Sequence, residues 1–209
     1  MTIASYIGMV LRIMVLMADF THILATRPDF TESDREWLHH LVADWQVIAD
    51  LSFADLLLIV QDGDGNYRIV EQCRPSTVMT LRIDDAVGAL VAPEMVGELD
   101  AAMQSKTVFR STVLRAVGKS TVCNVYAPVR HDGKTLGLVV RETNMATRES
   151  NGRYESESIN AGKQLYEMIP RGQFPYVNAI MSQRHVARVS DGFITVSYTH
   201  LTLPTICSV

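Results

Sequence analysis

The chain has 209 residues, 47% apolar and 20% charged, enough for one globular domain of ordinary size and part of a second; this excludes a compositionally disordered protein. A formal net charge of -4 leaves no cluster of Lys and Arg to neutralise a phosphate backbone, so no direct nucleic-acid partner is expected. The cysteines Cys73, Cys123 and Cys207 are odd in number and far apart, which argues against a disulfide framework or a zinc site and fits a reducing cytoplasm.

In chain order, residues 1–16 are apolar but interrupted by Arg12, lack a basic leader, and are shorter than the roughly 18 to 20 residues of a membrane span. They are expected to be a non-native, helical or disordered extension and not a membrane anchor; Met17 is a second plausible start. Ser33-x-x-Glu36 has the form of a capping box and predicts a helix start. Trp37, Leu38, Leu41, Val42, Trp45, Ile48 and Ala49 then recur at helical spacing, with His39, His40, Asp44, Gln46 and Asp50 on the opposite side. Residues 54–61 form an apolar run, ended by Asp62-Gly63-Asp64-Gly65-Asn66 and followed by alternation over 67–74, which reads as a β-hairpin. The first strand lacks alternation and is expected to be covered on both faces, as a central strand would be.

Pro93 suits the first position of a short helix reaching Gln104, with Val96, Leu99 and Met103 inward. Strands are predicted over 107–116, 121–130 and 135–142, the last two joined at His131-Asp132-Gly133 into a second hairpin. A helix follows over 154–169, with Tyr154, Ile159, Leu165 and Ile169 on one face, and Pro170 and Gly172 end it. The order implies an α+β fold, an antiparallel sheet flanked by helices.

Candidate chemistry is sparse. His39-His40 offers imidazoles on a helix face, but no Gly-rich phosphate loop or magnesium-binding asparagine motif accompanies them, so they read as helix surface. The Asp62–Asn66 run lacks the spacing and distant glutamate of a calcium loop. No catalytic residue and no metal site are expected. Arg74, Arg82, Asp84 and Asp85 flank the segment between the second strand and the short helix, where a small ligand could enter, and Cys73 and Cys123, which lie in predicted strands, complete the candidate ligand-binding set.

Three segments, ADWQVIADLSFADLLLIV at 43–60, EQCRPST at 71–77 and DAVG at 85–88, resemble the N-terminal domain of PdtaS-like soluble sensor histidine kinases. The similarity runs from about Met17 through GQFP at 172–175 to DGFI at 191–194. The resemblance implies a GAF-type sensory domain over 17–170, a connector over 171–188 and the start of a PAS domain at 189–195. The run VSYTHLTLPT at 196–205 resembles a translated sequencing adapter, so residues 196–209 are expected to lie outside the natural sequence. The resemblance further implies a homodimeric, cytoplasmic parent kinase that uses ATP and Mg. Such a kinase autophosphorylates on histidine and passes the phosphoryl group to a response regulator with an ANTAR output, controlling transcription antitermination. This chain would then be an input domain without catalysis, reading a small molecule, a cyclic nucleotide or a metal ion. A free-standing GAF-fold enzyme with cysteine redox chemistry and a ligand-free dimerisation module are the alternatives.

Overall fold

The computed structural model describes residues 22–148 and 153–175, with side chains omitted at 147–148 and 153–155. The extension, most of the connector, the PAS-like start, the adapter-like run, Cys207 and the side chain of Tyr154 lie outside the described residues.

After a helical turn at 22–25, the elements are α1 (Glu32–Asp44), α2 (Gln46–Ser52), β1 (Asp55–Gln61), β2 (Tyr67–Cys73), a 3-10 turn (Pro93–Met95), α3 (Val96–Gln104), β3 (Phe109–Val117), β4 (Ser120–His131), β5 (Lys134–Asn144), α4 (Met145–Arg148) and α5 (Arg153–Met168). The strands form one antiparallel sheet in the order β2-β1-β5-β4-β3. The β1 strand is buried on both faces as the unalternating run requires, but β5 is the central strand. The β3 and β4 strands also form a hairpin, pairing through Val117 and Ser120, in addition to the β4–β5 hairpin closed by Asp132 and Gly133 at positive φ.

Strand alternation divides the interior into two layers. Leu56, Leu58, Val125 and Val139 point to one face, where Leu38, Leu41, Ile48, Tyr166 and Ile169 of the α1, α2 and α5 layer cover them. Leu57, Ile59, Tyr126, Leu138 and Val140 point to the other, beneath Leu99 and Ala102 of α3 and the segment 74–92. The two helices that frame the domain, α2 and α5, approach closely at Gly162, where an added Cβ would fall 2.7 Å from Ser52 Oγ and 3.0 Å from Leu51 Cβ. Past α5, Gly172 N–H bonds Ile169 C=O and Gln173 N–H bonds Met168 C=O, and Phe174 folds back into the first layer.

Four sequence expectations need correction. The helix of residues 33–50 is two helices, because Trp45 at ψ -9 breaks the run and turns Gln46 and Asp50 toward residues 74–77. Asp50 is therefore 1% exposed rather than solvated. The cap is Thr31, not Ser33: Thr31 Oγ1 accepts from Asp34 N–H at 3.2 Å while Thr31 N–H donates to Asp34 Oδ2 at 2.9 Å. On α3, Val96 is 37% exposed, and Glu98 turns inward to bond side chains of β3 and β4.

Asp34 also receives His131 Nδ1 at 3.0 Å and Lys134 Nζ at 3.3 Å, pinning α1 to the β4–β5 hairpin. Burial pushes its carboxyl up, but the hydrogen bonds from His131, Thr31 and Lys134 outweigh burial and hold it well below the ordinary value of 3.8. A depressed folded-state value means the contribution is complete above the unfolded value and is lost as pH falls through the folded one. Asp34→Asn is thus expected to cost about 1–2 kcal/mol in urea unfolding at pH 7, with the gap from wild type closing below pH 3.8. A gap that persists unchanged at pH 2 would contradict the assignment.

Candidate functional site

In the register of β1, β5 and β4, Asp55, Glu142 and Asn124 stand side by side on the face that α3 and residues 74–92 cover. Each is 1% exposed. Apolar side chains of equal volume would pack there at lower cost, because a buried carboxylate is tolerated only when its oxygens are satisfied. Here the satisfaction comes from the covering segment. Arg82 donates from Nε to Glu142 Oε2 at 2.6 Å and from Nη2 to Oε1 at 2.9 Å, a bidentate pair. Thr80 Oγ1 and Leu81 N–H donate to the two carboxylate oxygens of Asp55. Hydrogen bonding to Glu142 holds the Arg82 guanidinium above its ordinary pKa despite partial burial.

The polar row continues toward α3. Tyr126 donates its hydroxyl to Glu98 Oε2 at 2.8 Å, and Ser111 Oγ and Arg115 Nη2 approach Oε1 at 3.0 and 3.3 Å. Burial, with the Glu98 carboxylate beside it, raises the Tyr126 hydroxyl to about 12, so it remains a donor at any physiological pH. Asn124 reaches Tyr126 only at 3.4 Å, and among the described residues its buried amide oxygen has no donor. An orphaned buried acceptor beside a carboxylate is a place for a ligand or water donor.

The structure brings Arg74, Arg82 and the backbone of Asp84 together and separates the rest of the predicted set. Arg74 donates from Nε to Arg82 C=O at 3.0 Å and from Nη2 to Asp84 C=O at 3.1 Å, so it shapes the segment from which Arg82 reaches inward. Asp84 and Asp85 have exposed side chains; Asp85 Oδ1 accepts from Val87 N–H. Met79 and Ile83, on the same segment, are 92% and 85% exposed.

Cys73 and Cys123 lie on the opposite face of the sheet. Cys73 contacts Gln46 Oε1 at 3.2 Å, and burial beside Asp50, Asp55 and Glu71 pushes its thiol well up, away from reactive thiolate. Their strands, β2 and β4, are three steps apart in the sheet, about 14 Å at the usual strand spacing. That is beyond the roughly 7 Å limit for a bridge, so they cannot resolve one another, and the geometry disfavours cysteine redox turnover.

The other sequence candidates have structural employment. His39 and His40 are half-buried on α1. Asp62 accepts from Asp64 and Asn66 N–H and from Arg68 Nη2, closing the β1–β2 turn. Among the described residues, no His, Cys, Asp or Glu group of three is placed to hold a metal ion, and no helix is long and apolar enough to cross a membrane.

The family model for the histidine kinase PdtaS GAF domain matches residues 20–161. The sensor histidine kinase PdtaS of Mycolicibacterium smegmatis is 30% identical over 184 residues, which is 87% of this chain and 37% of the relative. That of Mycobacterium tuberculosis is 31% identical over 185 residues, 85% of this chain and 36% of the relative. The chain thus spans little more than a third of the length of these curated relatives. A solved structure of the sensor region of a sensor histidine kinase superimposes with a TM-score of 0.65 and 29% identity, covering 82% of this chain and 59% of that one. The five-stranded antiparallel sheet with helices on both faces is the α+β arrangement expected of such a domain. The chain belongs to the PdtaS histidine-kinase GAF-domain family.

Proposed function

We propose that this chain is the signal-input domain of a cytoplasmic, homodimeric sensor histidine kinase and does not itself catalyse. The observation that carries the reading is the buried row Asp55–Glu142–Asn124, held closed by one arginine from a covering segment whose apolar tip is exposed. A ligand or partner that satisfies Asn124 and competes with Arg82 for Glu142 would release or reshape residues 74–92. Such a competitor biases output only through its preference for one of the two arrangements. The row is rich in acceptors, so its complement is a donor-rich small molecule. A cyclic nucleotide, through its base N–H groups, or a metal ion is a narrower alternative.

In this proposal the residues past 170 lead through a connector and a PAS domain to phosphoacceptor and ATP-binding domains that use ATP and Mg. The phosphoryl group passes to a response regulator with an ANTAR output, and neither nucleic acid nor membrane is touched by the input domain. The α5 helix is the lever, because it packs Leu165, Tyr166 and Ile169 on the first layer and leaves directly into the connector. Leu165→Pro in the parent kinase is expected to uncouple autophosphorylation from the input while ATP binding persists; unchanged control would count against this route. Thermal-shift screening against nucleotides, metals and amines separates a sensor from a ligand-free dimerisation module: a saturable shift of several degrees that Glu142→Gln reduces supports the former.

A further inference from the structure

A second feature lies at the other end of the sheet, where the β4–β5 hairpin, the end of α3 and the exit of α5 enclose a cleft of about 630 Å³. Its lining includes Lys106, Arg130 and Arg171, from three separate parts of the chain, with Trp37, His131 and Asp132. Among the described residues, none of the three cationic side chains pairs with a carboxylate. The acids nearby are otherwise engaged: Asp34 is held by His131 and Lys134, and Asp132 is 80% exposed, 3.9 Å from His131 Nε2.

Trp37 stacks on His131 with ring centroids 4.7 Å apart and an interplanar angle of 22°, giving the cleft a rigid wall that Asp34 fixes from behind. The indole N–H of Trp37 is buried and has no acceptor among the described residues. Three cations around one opening share a single complement, a multivalent acceptor with negative charge. Guanidinium forks bind such oxyanions bidentately, and the cleft's volume admits a group larger than one phosphate.

We propose that this cleft is a binding site for a small oxyanion, a pyrophosphate-like or polycarboxylate group, distinct from the polar row under residues 74–92. Lys106 and Arg171 follow helix C-termini, where a cation also offsets the carbonyl ends of the helix. Arg130, next to the end of β4, follows no helix and has no such second role, so it is the residue that discriminates. Because Pro170, Arg171 and Gly172 form one wall, an occupied cleft ties the α5 exit to the β4–β5 hairpin. That consequence for output rests on the sensory reading; the binding site does not.

The test titrates the full 209-residue chain with pyrophosphate and, separately, citrate at constant ionic strength. Tryptophan fluorescence and amide hydrogen exchange over residues 169–175 are the readouts. Saturable binding with a midpoint below about 1 mM, slowed exchange in that stretch, and at least tenfold weakening in Arg130→Gln support the site. Arg110→Gln, on exposed β3, is expected to bind like wild type. Response to pyrophosphate alone identifies a phosphate site, and response to both a general oxyanion site. Lys106→Gln provides a second variant should Arg130→Gln fail to fold. No saturable response to either anion, or undiminished affinity in the variant that folds, overturns the proposal. Binding established here, with no effect on kinase control, would leave the site standing and count only against its link to output through the α5 exit.

Discussion

Arg82→Met is expected to destabilise the domain by about 2–4 kcal/mol, whereas Arg82→Met combined with Glu142→Met is expected to recover most of that loss. Removing one partner of a buried pair leaves the other charged and desolvated. Glu142 is 1% exposed between Asp55 and Asn124, with Arg82 bonded to both of its oxygens, while the Arg82 side chain retains 27% exposure, which places the single variant toward the lower part of the usual range. The double variant removes the stranded charge and puts two flexible apolar chains in its place. Urea midpoints at constant slope measure both. A double variant as unstable as the sum of Arg82→Met and Glu142→Met would show that the pair is not coupled. Residues 74–85 would also lose one of their four side-chain tethers, those to Gln46, Asp50, Asp55 and Glu142, so their amide exchange should quicken in Arg82→Met before the global transition changes.

Tyr166 carries the second large effect. Its ring is 1% exposed in the layer between α5 and the sheet, and its hydroxyl sits 2.6 Å from the carbonyl oxygens of both Val125 and Val139, bridging β4 and β5. Arg141 lies over the ring with its guanidinium carbon 4.9 Å from the centroid. Tyr166→Ala is expected to cost about 4 kcal/mol, from the cavity and the lost contacts. Tyr166→Phe keeps the ring and removes only the bridging donor, for about 1–2 kcal/mol. Equal losses in the two variants would mean that the ring contributes little and the hydroxyl nearly everything.

Much of the architecture was legible because its signals are local. The run Leu56–Val60 is apolar without alternation and bounded by a Gly-rich turn, which specifies a doubly covered strand and a hairpin at once. Pro93 marks the entry to α3 for an equally local reason. The break at Trp45 was not legible, because the apolar spacing continues through it and only the pull of residues 74–77 on Gln46 and Asp50 shows where the helix turns. The cap at Thr31 was missed since Ser33-x-x-Glu36 fits the same pattern two residues on, and tertiary bonds from His131 and Lys134 to Asp34 favour the earlier register.

The candidate site shows the same division. Arg82 could be placed on a segment beside the sheet, but its partner is 60 residues away, and no spacing rule links them. A weaker signal was present: Asp55 opens the Leu56–Val60 run and Glu142 closes the Leu136–Val140 run, and a carboxylate that continues a strand buried on both faces requires a partner. Phe53, a large aromatic, caps α2 in the left-handed region and is half-buried, a role set by the helix end and not by any apolar spacing.

The most direct measurement is autophosphorylation of the parent kinase carrying Arg82→Met, compared with wild type across a titration of input ligand or cell extract. If the arginine latch over Glu142 is how the domain reports its state, the variant's phosphorylation will be fixed at one level. An undiminished response with the same midpoint as wild type would contradict that role.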